Sequence, residues 1–256
     1  MTRRTAVFTT LLRPALAAAL LAALVGRPLG AQSGHSTNNQ LTNEEKRAGW
    51  TLLFDGTSLN GWRGYKRPDA AGTRWRVENG FVTIPPSDGQ DTRGARDLIT
   101  TETFARFELS LEWRVAPGGN SGVKYFVLED MDSAIGHEYQ IIDDERHPDA
   151  KFGITRQTAS LYDVLGASNR RLKAAGQFNQ GRIVARGLTV EHWLNGDRVL
   201  TYALKSAALR SAIAASKFKD IARFGTPQKG HILLQDHGDQ VWYRNIKIRP
   251  LTGAIS

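Results

Sequence analysis

The residues Glu138-Tyr139-Gln140-Ile141-Ile142-Asp143-Asp144-Glu145-Arg146-His147-Pro148-Asp149 put the chain's densest set of chemically able side chains into one short stretch. The stretch opens with strict alternation. In a strand, Glu138, Gln140 and Ile142 then share one face and Tyr139, Ile141 and Asp143 the other. A sheet packed on its Tyr/Ile side leaves a carboxylate and an amide pointing outward, just where the strand runs into an acidic loop carrying His147. A carboxylate, an imidazole and an amide offer a proton acceptor, a proton donor and a hydroxyl ligand. Asp143, Asp144, His147 and Asp149 also form an oxygen-rich set able to hold Ca²⁺ or another divalent ion. The plainer reading is a solvated acidic loop with a proline turn. Asp143 and Asp144 are the metal candidates, and the sequence requires no cofactor.

The elements that must position these groups are mostly strands. Phe107, Leu109, Leu111, Trp113 and Val115 alternate with Glu108, Ser110, Glu112 and Arg114, a strand with one buried face. Asn79-Gly80 and Asn195-Gly196 each separate two short alternating runs. Both dipeptides favour the positive φ angles of a type I′ turn, so residues 74–84 and 188–204 read as hairpins. Residues 231–235 and 241–248 are two further strands. Thr42-Asn43-Glu44-Glu45 carries a capping-box pattern for one short helix, and residues 206–224 have roughly helical spacing. Many short strands, frequent Gly turns and one helical interlude point to an all-β antiparallel sandwich. His192 alternates with Leu188, Val190 and Leu194 and reads as a hydrogen-bonded core histidine.

Residues 1–31 read as a signal peptide: Arg3, Arg4 and Arg13 precede an apolar run, and Leu29-Gly30-Ala31 offers small residues for cleavage. Arg3-Arg4 also fits loosely a twin-arginine signal. The expected location is the periplasm or the medium, with no membrane-spanning segment once the signal is removed. Residues 32–47 read as a flexible tether and 48–252 as one domain. The formal charge is +9, but the signal takes away four arginines and no acid, leaving +5 with acids interleaved. No dense basic block supports nucleic-acid binding. Cysteine is absent, which excludes thiol nucleophiles and Cys-ligated metals and leaves stability to the core.

Leu53-Phe54-Asp55-Gly56 with Leu59-Asn60-Gly61-Trp62 resembles the opening motif of the 3-keto-disaccharide hydrolase domain family. The later blocks agree in order: Gly119-Asn120-Ser121-Gly122-Val123-Lys124-Tyr125, the stretch from Glu138, Leu161-Tyr162-Asp163, Glu191-His192-Trp193-Leu194-Asn195-Gly196, Leu234-Gln235-Asp236-His237-Gly238 and Trp242-Tyr243-Arg244-Asn245. Phe178-Asn179 departs mildly from the Trp-Asn of many relatives. The resemblance implies a concanavalin A-like jelly roll of two antiparallel sheets, here with one short helical insertion. It also implies cleavage of glycosides already oxidised to a ketone at C3, and hence a functional link to a sugar 3-dehydrogenase.

Alternation then selects the side chains of a sugar-binding trough. With Val123, Tyr125 and Val127 in the core, Lys124 and Phe126 face outward; with Ile232 and Leu234 in the core, His231, Leu233 and Gln235 do. Lys124, Glu138, Gln140, His231 and Gln235 thus make one polar face, with His237 in the turn beyond. The same-face partner of Glu138 is Gln140, which cannot serve as the second carboxylate of a retaining glycosidase. A 3-keto sugar has an acidic C2 proton and needs one base, an enolate stabiliser and an acid. The expected roles are Glu138 as base, Lys124 at the ketone oxygen and His237 or His147 as acid. Gln140, Gln235 and His231 would bind substrate, and Trp193 or Tyr162 would stack on a sugar face. The Asn120-Ser121-Gly122 segment is either a tight turn or a close backbone approach to the sugar. The alternative from another class is a non-catalytic carbohydrate-binding domain on the same fold.

Overall fold

A computed structural model describes residues 1–2, 38–86 and 97–251. The signal-peptide reading of residues 1–31 lies almost wholly outside them. In chain order, α1 (Asn43–Arg47) leads to β1 (Thr51–Leu52), β2 (Trp62–Gly64), β3 (Arg76–Glu78), β4 (Phe81–Ile84), β5 (Leu98–Thr100) and β6 (Phe107–Val115). Then come β7 (Asn120–Val127), β8 (His137–Ile142), 3₁₀ turns at Pro148–Phe152 and Ile154–Arg156, β9 (Asn179–Arg186), β10 (Thr189–Leu194) and β11 (Asp197–Ala203). The chain closes with α2 (Ala207–Ala214), β12 (His231–Leu234) and β13 (Val241–Pro250).

Among the described residues the strands form two antiparallel sheets, the sandwich of a concanavalin A-like jelly roll. One runs β11-β10-β9-β6-β13-β4-β3 with β1 added beside β13; the other runs β2-β5-β12-β7-β8. The alternation of β6 places Phe107, Leu109, Leu111, Trp113 and Val115 between the sheets, against Val123, Tyr125, Tyr139 and Ile141 of the other layer. Each large side chain buried there contributes roughly 1.5–3 kcal/mol of hydrophobic stabilisation before its ordering cost. Both Asn-Gly turns form as read: Asn79 and Gly80 have φ of 51° and 77°, and Asn195 and Gly196 have 50° and 90°.

Three sequence expectations need correction. The helix expected over 206–224 stops after Ala214, and its Ser206 cap accepts the Leu209 N–H. The tether reading of 32–47 fails from Asn38 onward. Asn39 and Asn245 exchange reciprocal backbone-to-side-chain hydrogen bonds of 2.6 and 2.8 Å, and Thr42 closes a full capping box on α1. Third, β7 carries a bulge where its pairing with β12 slips between Lys124 and Val127. Phe126 there adopts φ 59°. The extra residue turns Phe126 into the main core and Val127 outward, to pack with Tyr65, Ile99, Ala134 and Leu233.

The interior also holds a polar chain. The Gly225 N–H donates to His137 Nε2 (3.1 Å), and His137 Nδ1 lies 2.7 Å from Tyr202 Oη. Tyr202 Oη is 2.5 Å from Tyr125 Oη, which is 2.8 Å from His192 Nε2; His192 Nδ1 is 2.8 Å from the Ala159 carbonyl. Fixing the first donor fixes all the rest: each ring or hydroxyl accepts one proton and passes one on, ending at a carbonyl. Both histidines are neutral in this scheme. Burial holds His137 down at about 3, with the neighbouring His192 adding to the effect, and holds His192 down at about 4. His192 is the hydrogen-bonded core histidine that its alternation predicts, and His137 is a second one.

Candidate active site

The outer face of the five-stranded sheet is built in rows. β7 and β8 pair Lys124 with Glu138, Gly122 with Gln140 and Asn120 with Ile142. β12 brings Leu233 beside Lys124, and the Gln235 N–H bonds the Gly122 carbonyl at 2.9 Å. β5 continues the rows with Ile99 beside Leu233 and places Asp97 one row further on. Glu138 is 4% exposed, and among the described residues no hydrogen-bond donor reaches its carboxylate. That carboxylate lies flat across Gly122, where a Cβ would stand 2.3 Å from Glu138 Oε1. Asn120-Ser121-Gly122 is therefore strand and not a tight turn, and its glycine makes room for a side chain of the neighbouring strand.

Segment 158–162 runs along the free edge of β8, with the Ala159 and Tyr162 N–H groups on the Gln140 and Glu138 carbonyls. Tyr162 donates its hydroxyl to Asp149 (2.8 Å), which also pairs with Arg156 (2.6 Å). The Lys217 ammonium lies over the Tyr162 ring, 4.1 Å from its centroid. Desolvation pushes Lys217 below the ordinary lysine range and Lys124 and Arg156 push it further, while Glu138 and Asp163 hold it up. Lys124 donates one N–H to the Ala134 carbonyl at 3.1 Å, leaving two for a ligand. Asp97, 2% exposed, accepts the Asp236 N–H at 2.9 Å. Burial raises its carboxyl to about 6; Lys124 and that N–H oppose the shift, and Glu138 and Asp236 reinforce it.

At the Asn120 end stand His147, His237 and Asp239. His147 Nε2 and His237 Nδ1 lie 4.0 and 3.6 Å from Asp239 Oδ2, which itself accepts the Asn120 N–H at 3.0 Å. Burial and the adjacent His237 keep His147 below the usual histidine range, against the raising pull of Asp239. Two buried acceptors on this face, Asn120 Oδ1 and Gln235 Oε1, have no hydrogen-bond partner among the described residues. Groups of this kind carry a desolvation cost unless a ligand takes them up.

The sheet therefore gathers Glu138, Lys124, Gln140, Gln235 and Asn120 on one face, with Tyr162, His147 and His237 on its rims. It does not gather the rest. Trp193 belongs to β10 of the opposite sheet, its ring under the Arg182 guanidinium at 3.9 Å and its indole N–H on Glu191 (2.8 Å), so it cannot stack on a sugar in this trough. His231 lies at the far end of β12, its Nδ1 2.7 Å from the Thr100 carbonyl and its Nε2 3.8 Å from Glu129. Asp143 accepts the N–H groups of Gly118, Glu145 and Arg146, and Asp144 accepts the Thr158 N–H and pairs with Arg170. Both carboxylates hold the loop together, and among the described residues neither belongs to the group of converging ligand atoms.

Three groups escaped the sequence reading. Asp97 precedes a three-residue strand and shares its outward face with Ile99 two positions on, a signal too short to read. Asp239 sits in a turn beside His237 and could have been paired with it. Lys217 arrives from beyond α2, and nothing local marks it.

The family model for the 3-keto-alpha-glucoside-1,2-lyase-like domain matches residues 49–249. A 3-keto-disaccharide hydrolase of Bacteroides thetaiotaomicron is 38% identical over 230 residues, covering 79% of each chain. A solved structure of a candidate glycosyl hydrolase from Parabacteroides distasonis is 28% identical, with a TM-score of 0.75, and covers 84% of this chain and 100% of its own. β-Agarase A of Zobellia galactanivorans, 9% identical with a TM-score of 0.50 over 78% of this chain and 92% of its own, shares the fold alone.

Proposed function

The chain belongs to the 3-keto-alpha-glucoside-1,2-lyase-like domain family, and from that premise we propose that it cleaves the glycosidic bond of 3-keto-glycosides by elimination and hydration. One observation carries the reading: a buried carboxylate, Glu138, accepts no hydrogen bond from the described residues, stands across the strand pair from Lys124 and feels the charge of Lys217. Such a group is an available base. Glu138 takes the C2 proton, and the C2–H electron pair forms an enolate with the C3 carbonyl. Lys124 and Lys217 supply the positive charge that the enolate oxygen needs. Collapse of the enolate forms the C1=C2 bond and expels the aglycone oxygen, which takes a proton from Asp97. Burial keeps a useful fraction of that carboxyl protonated near pH 6. Water then adds at C1, and C2 is reprotonated. Gln140 and Gln235 bind hydroxyls, and Tyr162 borders the sugar.

The substrate's ketone implies a sugar 3-dehydrogenase acting before this enzyme. The leader-like residues 1–31 support action outside the cytoplasm, in the periplasm or medium. The test is to incubate the purified protein with 3-keto-α- and 3-keto-β-glucosides beside the unoxidised parents. Cleavage of the keto forms alone is the expected outcome. Equal cleavage of the parents would assign Glu138 and Asp97 to ordinary glycoside hydrolysis, and binding without turnover would favour a carbohydrate-binding module.

A further inference from the structure

We propose that His147, His237 and Asp239, with the side-chain oxygen of Asn120, form a binding site for one first-row divalent cation of the zinc class, at the Asn120 end of the trough. The candidate ligand atoms of the two histidines and the aspartate all lie within 4.8 Å of one another. Metal–ligand bonds of about 2.0–2.2 Å place neighbouring ligand atoms roughly 3–4 Å apart, and the two separations from Asp239 Oδ2 are 4.0 and 3.6 Å. Only small movements are needed to close the set around an ion.

Asn120 supplies an independent observation. It is 3% exposed, it shares the outward face of β7 with Gly122 and Lys124, and its Oδ1 has no partner among the described residues. A buried, unpartnered carbonyl oxygen is satisfied by a cation as well as by a hydrogen-bond donor. Its own N–H meanwhile fixes the Asp239 carboxylate at 3.0 Å, the kind of outer contact that orients a metal ligand.

The donor set selects the ion. Two imidazoles and one carboxylate suit zinc and its first-row neighbours, whereas calcium and magnesium ask for oxygen throughout. Three protein ligands leave an open position on a tetrahedral ion, and four leave one or two on an ion that takes five or six, for carbonyl or hydroxyl oxygens of a sugar. Asn120 is two residues from Gly122, so the site stands roughly 7 Å along the strand from the point where the Glu138 carboxylate lies. Use of the ion in the reaction rests on the function proposed above; binding itself does not.

Coordination has one local cost. His147 caps the turn at Pro148–Phe152 by accepting the Asp149 N–H on Nδ1 at 3.1 Å. An imidazole bound through Nε2 carries its proton on Nδ1, so metal binding breaks this cap and frees the Asp149 amide. Loss of this cap on adding metal at constant pH separates coordination from protonation of His147, which breaks the cap only as pH falls.

The experiment is calorimetric titration of chelator-stripped full-length protein with Zn²⁺, with no sugar present, repeated with Co²⁺ for its visible absorption. One equivalent per chain is expected, with affinity lowered at least about tenfold by His237→Ala and by Asp239→Asn. Asp132→Asn, an exposed carboxylate elsewhere, should leave it unchanged. Hydrogen exchange at the Asp149 amide should quicken when Zn²⁺ is added. Absence of saturable binding, or binding that survives both site variants, would overturn the proposal. A positive titration beside inactivity on 3-keto-glycosides would sink the substrate reading and leave the metal site standing.

Discussion

The histidine–tyrosine chain inside the sandwich and the outer trough both bury polar groups, and they treat them in opposite ways. Inside, five hydrogen bonds run from the Gly225 N–H through His137, Tyr202, Tyr125 and His192 to the Ala159 carbonyl, and every ring and hydroxyl is used. In the trough, the Glu138 carboxylate, Asn120 Oδ1 and Gln235 Oε1 lack such partners among the described residues. Closed networks add stability and specify packing; open ones hold desolvated groups at a cost that binding a ligand recovers. Burial of a histidine or carboxylate is therefore not by itself a sign of chemistry. Completeness of its hydrogen bonding separates the histidine–tyrosine chain from the trough; elsewhere in the core, Trp113 Nε1 has no hydrogen-bond partner among the described residues.

The contrast can be broken most forcefully at Glu138. Glu138→Gln should lower kcat on a 3-keto-glycoside by about 10²–10⁴-fold and leave the melting temperature unchanged or higher, read by steady-state kinetics and calorimetry. Tyr125→Phe should do the reverse. It orphans the Tyr202 hydroxyl and His192 Nε2, so denaturant unfolding should show a loss of about 2–4 kcal/mol, with activity per folded molecule preserved.

pH sharpens the difference further. Asp97 has a folded pKa of about 6, above its unfolded value, so the folded state favours its protonated form; that contribution is lost as pH rises through 6. Asp97→Asn should be neutral below pH 4 and stabilising above pH 6 by up to about 3 kcal/mol. His137 and His192 act with the opposite sign. Their contribution is complete above about pH 6.5 and is lost as pH falls toward 4 and 3, so Asp97→Asn protein should unfold on acidification through that window. Unfolding midpoints measured from pH 4 to 8 check both arms. Gly122→Ala should displace the Glu138 carboxylate and reduce turnover by about tenfold or somewhat more. Trp193→Ala, on the other sheet, should change kcat/KM by less than about twofold.

Legibility followed the length of the signal. The nine-residue alternation of β6 and the two Asn-Gly dipeptides each carry their own conformational rule, so the sandwich and its hairpins could be read directly. Glu138, Gln140, Lys124 and Gln235 were legible for the same reason, since period-two strands assign faces. The bulge at Phe126 broke that rule locally, because a positive φ at an aromatic residue leaves no mark in the sequence. Trp193 shows the other limit: alternation says which side of a strand a residue takes, not which sheet the strand joins. Lys217 and Asp97 reach the trough through tertiary packing alone.

The most direct test of Glu138 as a base at C2 is to follow a C2-deuterated 3-keto-glucoside in ordinary water by mass spectrometry, beside an enzyme-free exchange control. Elimination and hydration predict a 3-keto-sugar product that has lost its deuterium, with label loss from substrate and product abolished in Glu138→Gln. A product released with the C2 deuterium retained would contradict proton abstraction at C2 and return the two carboxyls to direct displacement at C1.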